Sequence, residues 1–136
     1  MAQSITPFAR ALYVCDYVIG YENGKMDIYG LINAIRPDGY PHTQNRFCVF
    51  AQLVGGLGNV PFSIDIIYRP LDGVVWSAKV RHLRFPSREV VVQMVAEIRN
   101  CTFPDPGPYL LELYCNGVAV ADVPLLLLKE ETSDEA

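Results

Sequence analysis

The sequence is poor in the side chains from which active sites are usually built. It holds two histidines, one tryptophan and four cysteines in 136 residues, and 19% of it is charged, where a soluble domain usually carries about a quarter. The cysteines, Cys15, Cys48, Cys101 and Cys115, form no Cys-x-x-Cys pair, which argues against a structural zinc site. Long apolar runs are also missing. The longest, Val123 to Leu128, is six residues with a proline inside it, whereas a spanning helix needs about twenty; membrane insertion is not expected. Residues 1–20 offer no basic head followed by an apolar stretch, because Arg10 and Asp16 interrupt it. Export by a signal peptide is therefore not expected, a cytoplasmic location is, and the four thiols should be free. Nor is there a basic excess. The net charge is −4, of which the segment Lys129 to Ala136, one lysine against four acids, carries −3; the body is near neutral, so nucleic acid is not an expected partner.

What the chain does have is punctuation. Ten prolines and ten glycines separate short runs rich in Val, Ile, Leu, Tyr and Phe, each about the length of a strand. Strands are expected at 10–19, 25–35, 46–54, 60–69, 74–84, 89–99, 108–115 and 118–128, with no convincing helix among them. Phe62, Ile64, Ile66 and Tyr68 alternate with Ser63, Asp65 and Arg69, a period of two. Across the Asp72-Gly73 turn, Val74, Trp76, Ala78 and Val80 should face inward, and Lys79 should stand opposite Asp65. Val90, Val92, Met94, Ala96 and Ile98 form another apolar face, as do Tyr109, Leu111, Leu113 and Cys115. Asn116-Gly117 supplies the pair that a tight hairpin requires for positive φ. The pattern predicts an all-β domain over residues 1–128, a two-sheet antiparallel β-sandwich of about eight strands, Ig-like or C2-like, with a barrel as the alternative. Residues 129–136 would be a mobile acidic tail.

A string in the N-terminal third, Cys15-Asp16-Tyr17, the turn Glu22-Asn23-Gly24, and then Gly24-Lys25-Met26-x-Ile28-x-Gly30, resembles a family of small bacterial proteins catalogued as a domain of unknown function. In that family a Cys-Asp or Ala-Asp pair precedes a Gly-Lys-Leu-x-x-x-Gly strand; Met26 here stands where leucine is commoner. Similarity continues through Phe47-x-Val49 and Leu71-Asp72-Gly73 to the Pro-x-Pro-Gly-x-Tyr stretch at 104–109. The resemblance implies a β-sandwich and a bacterial origin, and no activity.

Candidate sites were weighed against plain structural roles. Asp16 sits inside an apolar strand, where it could be a base or cation ligand but is more simply a solvated or hydrogen-bonded carboxylate. Asp16, Glu22 and Asp27 lack the clustered Asp-x-Asp spacing of a calcium loop, so no metal or cofactor is expected. A thiol enzyme would need one cysteine beside His42 or His82; strand cysteines are more often apolar fillers. His42 reads as a solvated loop residue. Gly55-Gly56-Leu57-Gly58 lacks the Lys-Ser or Lys-Thr of a phosphate loop and reads as a hairpin or sheet-to-sheet connection. Lys79, Arg81, His82, Arg84 and Arg88 make the one concentration of positive charge, a possible landing strip for an acidic partner. The four leucines 125–128 cannot all face one core by alternation, so that strand is either covered on both sides or meets a second chain. These readings lead to a non-catalytic interaction or structural module, with Leu126, Leu128, Lys79, Arg81 and Arg84 as contact residues and a protein partner, a second copy of the chain being one candidate. The alternative is a small-ligand sandwich using Tyr40, Trp76 or Tyr114; a Cys/His hydrolase is the remote one.

Overall fold

The computed structural model describes residues 4–129. The described chain forms ten strands: β1 (Phe8–Gly20), β2 (Met26–Leu31), β3 (Ala34–Ile35), β4 (His42–Val54), β5 (Gly58–Tyr68), β6 (Gly73–Ser77), β7 (Arg81–Phe85), β8 (Val92–Phe103), β9 (Gly107–Cys115) and β10 (Val118–Leu127). They make two sheets. The first runs β2-β1-β4-β8; the second runs β3-β10-β9-β5-β6, with β7 also on β5 beside β6. Every pairing is antiparallel except the short one between β3 and β10. The all-β, two-sheet expectation holds, and the acidic segment expected beyond Lys129 lies outside the described residues.

Alternation builds the core between the sheets. Val49, Ala51, Leu53, Met94 and Ile98 of the first sheet meet Ile64, Ile66, Leu111, Leu113 and Leu125 of the second, all buried. Burying each such side chain fully contributes about 1.5–3 kcal/mol. Tyr109 closes one end: its ring meets Phe103 edge-on at 5.0 Å, and its hydroxyl donates to the Asp105 carbonyl at 2.7 Å. The Tyr68 hydroxyl donates to the Pro106 carbonyl at 3.1 Å. Two tyrosines thereby pin the Pro-rich turn between β8 and β9 from the core side.

Two of the eight expected runs are each cut in two, which accounts for the extra strands. The run 25–35 breaks at Ile32 and Asn33, where the chain changes sheets: the Ile32 N–H donates to the Val14 carbonyl on β1, and the Asn33 carbonyl accepts from Leu126 on β10. The run 74–84 breaks at Ala78 to Val80, where the register against β5 slips by one residue between the Asp65–Ser77 and Phe62–Arg81 pairs; within β6 a separate bulge leaves Val75 without a register partner. Each extra residue reverses the facing of the side chains on one side of it relative to the other. Val75 and Trp76 both lean on the core, while Val74 and Val80 are exposed instead of inward. Lys79 misses Asp65, which the hairpin register places opposite Ser77, whose hydroxyl it accepts at 2.7 Å.

The turns divide similarly. Asn116 and Gly117 both have positive φ, 53° and 74°, as the hairpin pair requires. Asp72-Gly73 is different: a single 3-10 turn, Arg69–Leu71, precedes it, and Asp72 caps that turn in the left-handed region. His42 opens β4 instead of lying in a loop, and its Nε2 meets Gln44 Oε1 at 2.8 Å. The leucine run alternates after all, with Leu125 and Leu127 in the core, Leu126 exposed and Leu128 half-buried.

Candidate functional site

The outer face of the first sheet departs most from a plain sandwich. On β1 and β4, Tyr13 stands opposite Phe50 and Cys15 opposite Cys48, and these side chains point away from the core that Val14 and Val49 enter. A two-layer sandwich would leave this face wet. Cys15, Cys48 and Phe50 are nonetheless 0%, 3% and 3% exposed.

What covers them is the chain itself. Beyond Cys15, β1 leaves β4 and pairs with β2 alone, Val18 opposite Ile28 and Gly20 opposite Met26. This hairpin bends back across the outer face as an arm. Its tip is held where the Gln93 amide on β8 donates to the Gly24 carbonyl at 3.1 Å. Val18, Met26 and Ile28 on its underside are half-buried. Between arm and sheet runs a groove of about 690 Å³, with Tyr13, Phe50, Gln52 and Gln93 as floor, Met26 and Ile28 overhead, and Arg10 and Lys25 at the margins. Gln52 donates to Gln93 at 3.3 Å, fixing both amides.

The upper side of the arm is aromatic. Tyr17 and Tyr29 stack with centroids 4.7 Å apart and planes 15° from parallel. Asp27 accepts the Tyr21 hydroxyl at 2.6 Å and the Tyr29 hydroxyl at 3.4 Å, and the first bond pushes the Tyr21 phenol up to about 12. Tyr17, Ile19, Tyr21, Tyr29 and Leu31 are all exposed. Beside the arm, Glu97 bridges Arg46 at 2.6 Å and also Arg99, and the two guanidiniums hold its carboxyl below the usual range.

The four cysteines are free and buried. Burial pushes the Cys15 thiol up to about 11, Cys101 to about 12 and Cys115 to about 11. Cys48 is raised by the same cause, although the Arg46 guanidinium 3.9 Å from its sulfur acts in the other direction. Thiols held protonated are poor nucleophiles at neutral pH, and His42 is engaged by Gln44. Asp16 is exposed, against the bare backbone of Gly30. Among the described residues no three His, Cys, Asp or Glu side chains converge as a metal site would require, and no helix is long and apolar enough to cross a membrane.

The expected contact residues are not one surface. Leu126 lies on β10, whereas Lys79 sits in the break after β6 and Arg81 and Arg84 on β7, with β9 and β5 between them and β10. Leu126 instead lines a second, more apolar groove of about 660 Å³ with Leu12, Tyr13, Val123 and Pro124. Nor do Tyr40, Trp76 and Tyr114 meet: Tyr40 donates to the Leu128 carbonyl at 2.5 Å, Trp76 packs on the core, and Tyr114 donates to Glu112 at 2.8 Å. The glycine run 55–58 joins the two sheets and pairs with the N-terminal segment through Ile5 and Leu57.

A family model matches residues 10–127, from within β1 to the last residue of β10. The chain belongs to a family of unknown function (DUF6941). The match takes in both sheets, the arm and both grooves, so the membership agrees with the resemblance read from the N-terminal string. No protein of curated function matches the chain. Among solved structures, the Pseudomonas fluorescens alkylpurine DNA glycosylase AlkC bound to DNA containing an abasic site analogue overlaps 87% of this chain at a TM-score of 0.49 and 11% identity. The chain spans 30% of that protein, and a likeness at this level carries no argument about activity.

Sequence reasoning missed the arm and the groove beneath it. Their one local signal was the exposed-parity apolar series Tyr13, Cys15 and Tyr17 on β1, opposite Cys48 and Phe50 on β4, which reads as strand until something is known to cover it.

Proposed function

We propose that this chain is a non-catalytic protein-contact module of a bacterial cell, cytoplasmic, whose contact surface is the upper side of the β1–β2 arm. The observation that carries the reading is the exposed stack of Tyr17 on Tyr29, ringed by Ile19, Tyr21 and Leu31. Tyrosine and aliphatic side chains grouped at one place on a hairpin are the composition of an interface centre. The Asp27 carboxylate fixes the tyrosines at little entropic cost, since both hydroxyls already share it. The raised thiols support a binding role over a catalytic one.

The test compares the full chain with a Tyr17→Glu, Leu31→Glu variant by sedimentation velocity and by capture from the source cells. A dimer, or a stoichiometric captured protein, that disappears in the folded variant supports the reading. A monomer whose captured proteins are unchanged in the variant overturns it.

A further inference from the structure

The underside of the arm carries a different message from its upper side. We propose that the groove between the arm and the first sheet binds a small amphipathic anion, an apolar chain or ring ending in a carboxylate or phosphate. Its volume, about 690 Å³, falls in the range of small-ligand sites, about 300–1,000 Å³. Its surface is mixed: Tyr13 and Phe50 below and Met26 and Ile28 above are apolar, while the two margins are cationic.

Both cations are delivered by specific backbone features. Arg10 is the extra residue of a bulge, since Ala9 pairs with Leu53 and Ala11 with Gln52; a bulge re-aims a side chain that regular pleating would send elsewhere. Lys25 is set at the arm's tip by Gly24, whose φ is 83°, and by its own N–H donating to the Asn23 side chain at 3.0 Å. Neither Arg10 nor Lys25 makes an ion pair among the described residues. Asp27, the one acid on the groove, is occupied by Tyr21 and Tyr29. Unpaired cations in a groove that also presents Tyr13, Phe50, Met26 and Ile28 select an anionic head with an apolar body, because the head pairs with the cations while the body covers those side chains. The groove and the proposed contact surface share Asp27, which lines the one and holds the tyrosines of the other, but Arg10, Lys25 and Ile28 belong to the groove alone.

The test is a titration of the full chain with decanoate, with decyl phosphate as a second head group and 1-decanol as the uncharged control, followed by amide chemical shifts at Gly24, Lys25 and Gln93. Saturable binding is expected for decanoate or decyl phosphate, with 1-decanol about tenfold weaker. Whichever anion binds more tightly identifies the head group. Arg10→Gln and Lys25→Gln, both at exposed positions, should each weaken the anion about tenfold and leave 1-decanol unchanged. Ile28→Asp should remove binding of all three while the core amides keep their shifts. Equal affinity for 1-decanol and decanoate, anion binding unchanged in both charge variants, or no saturable shift with any probe overturns the proposal.

Discussion

Asp16 lies over the bare backbone of Gly30, so close that a methyl group at position 30 would collide with its carboxylate. Gly30 also has a φ of 68°, in the region that L side chains rarely adopt. The pair explains two sequence features at once: why an acid interrupts β1 without being buried, and why β2 carries a glycine mid-strand. Gly30→Ala should cost about 1–3 kcal/mol in urea denaturation. Adding Asp16→Ala should recover the steric share and leave the backbone share. A single variant as stable as the native chain would mean that β2 can shift away at no cost.

The thiols set the alkaline limit of the fold. Cys15, Cys101 and Cys115 hold their protons to about 11, 12 and 11, against an ordinary value of 9.0. Above pH 9 the unfolded chain releases these protons first, so the native state binds more of them and stability falls as pH rises. The window runs from the unfolded value up to the native ones. The melting temperature should therefore drop between pH 9 and 11 and be flat from 7 to 8.5, and Cys101→Ala should make the drop shallower. At pH 8 the raised value leaves Cys15 with a thiolate fraction about a hundredfold lower than an ordinary thiol. Reaction with a chromogenic disulfide reagent should be slow for all four until urea is added.

The two-sheet architecture was legible because its signals are local. Period-two alternation in Phe62, Ile64 and Ile66 and positive φ at Asn116 and Gly117 need no distant partner to be read. The bulge at Val75 and the slip between β6 and β7 were not legible: alternation assigned Val74 and Val80 to the core, and the register that exposes each is set by β5 together with its two partners. The arm was hidden for a related reason. Tyr13, Cys15 and Phe50 occupy the outer parity of their strands and are covered by residues from elsewhere in the chain. Sequence pattern identifies an apolar face; which segment folds over it depends on long-range contacts that periodicity does not encode.

Tyr109 is buried for its ring and held by its hydroxyl. Its donation to the Asp105 carbonyl at 2.7 Å fixes the β8–β9 turn. Tyr109→Phe keeps the ring contacts with Phe103 and Tyr68 and removes both this bond and the one the hydroxyl accepts from the Asp105 N–H at 3.3 Å; at about 0.5–1.5 kcal/mol for each bond it should cost about 1–3 kcal/mol. Leu113→Ala, which opens a cavity in the same core, should cost about 2–5 kcal/mol. The two measured together separate the turn's anchor from core packing. If Tyr109→Phe costs more than the cavity, the turn contributes more to the fold than these two hydrogen bonds.

The arm should open independently of the sandwich. Beyond Cys15 it has no hydrogen-bonded neighbour strand on either outer edge, and its described hydrogen bond to the sheet below is the one the Gly24 carbonyl accepts from Gln93. Elements with few buried contacts exchange their amides by local opening and not by global unfolding. Amides of Met26 to Leu31 should therefore exchange faster than those of Phe47 to Leu53 in β4, and their rate should be insensitive to low urea, as expected when little surface is exposed on opening. Gln93→Ala removes the tip contact and should raise exchange in the arm while lowering global stability by less than about 1 kcal/mol. If the arm and β4 exchanged at one common rate, the hairpin would be part of the cooperative core, and the groove beneath it would open only when the whole domain unfolds.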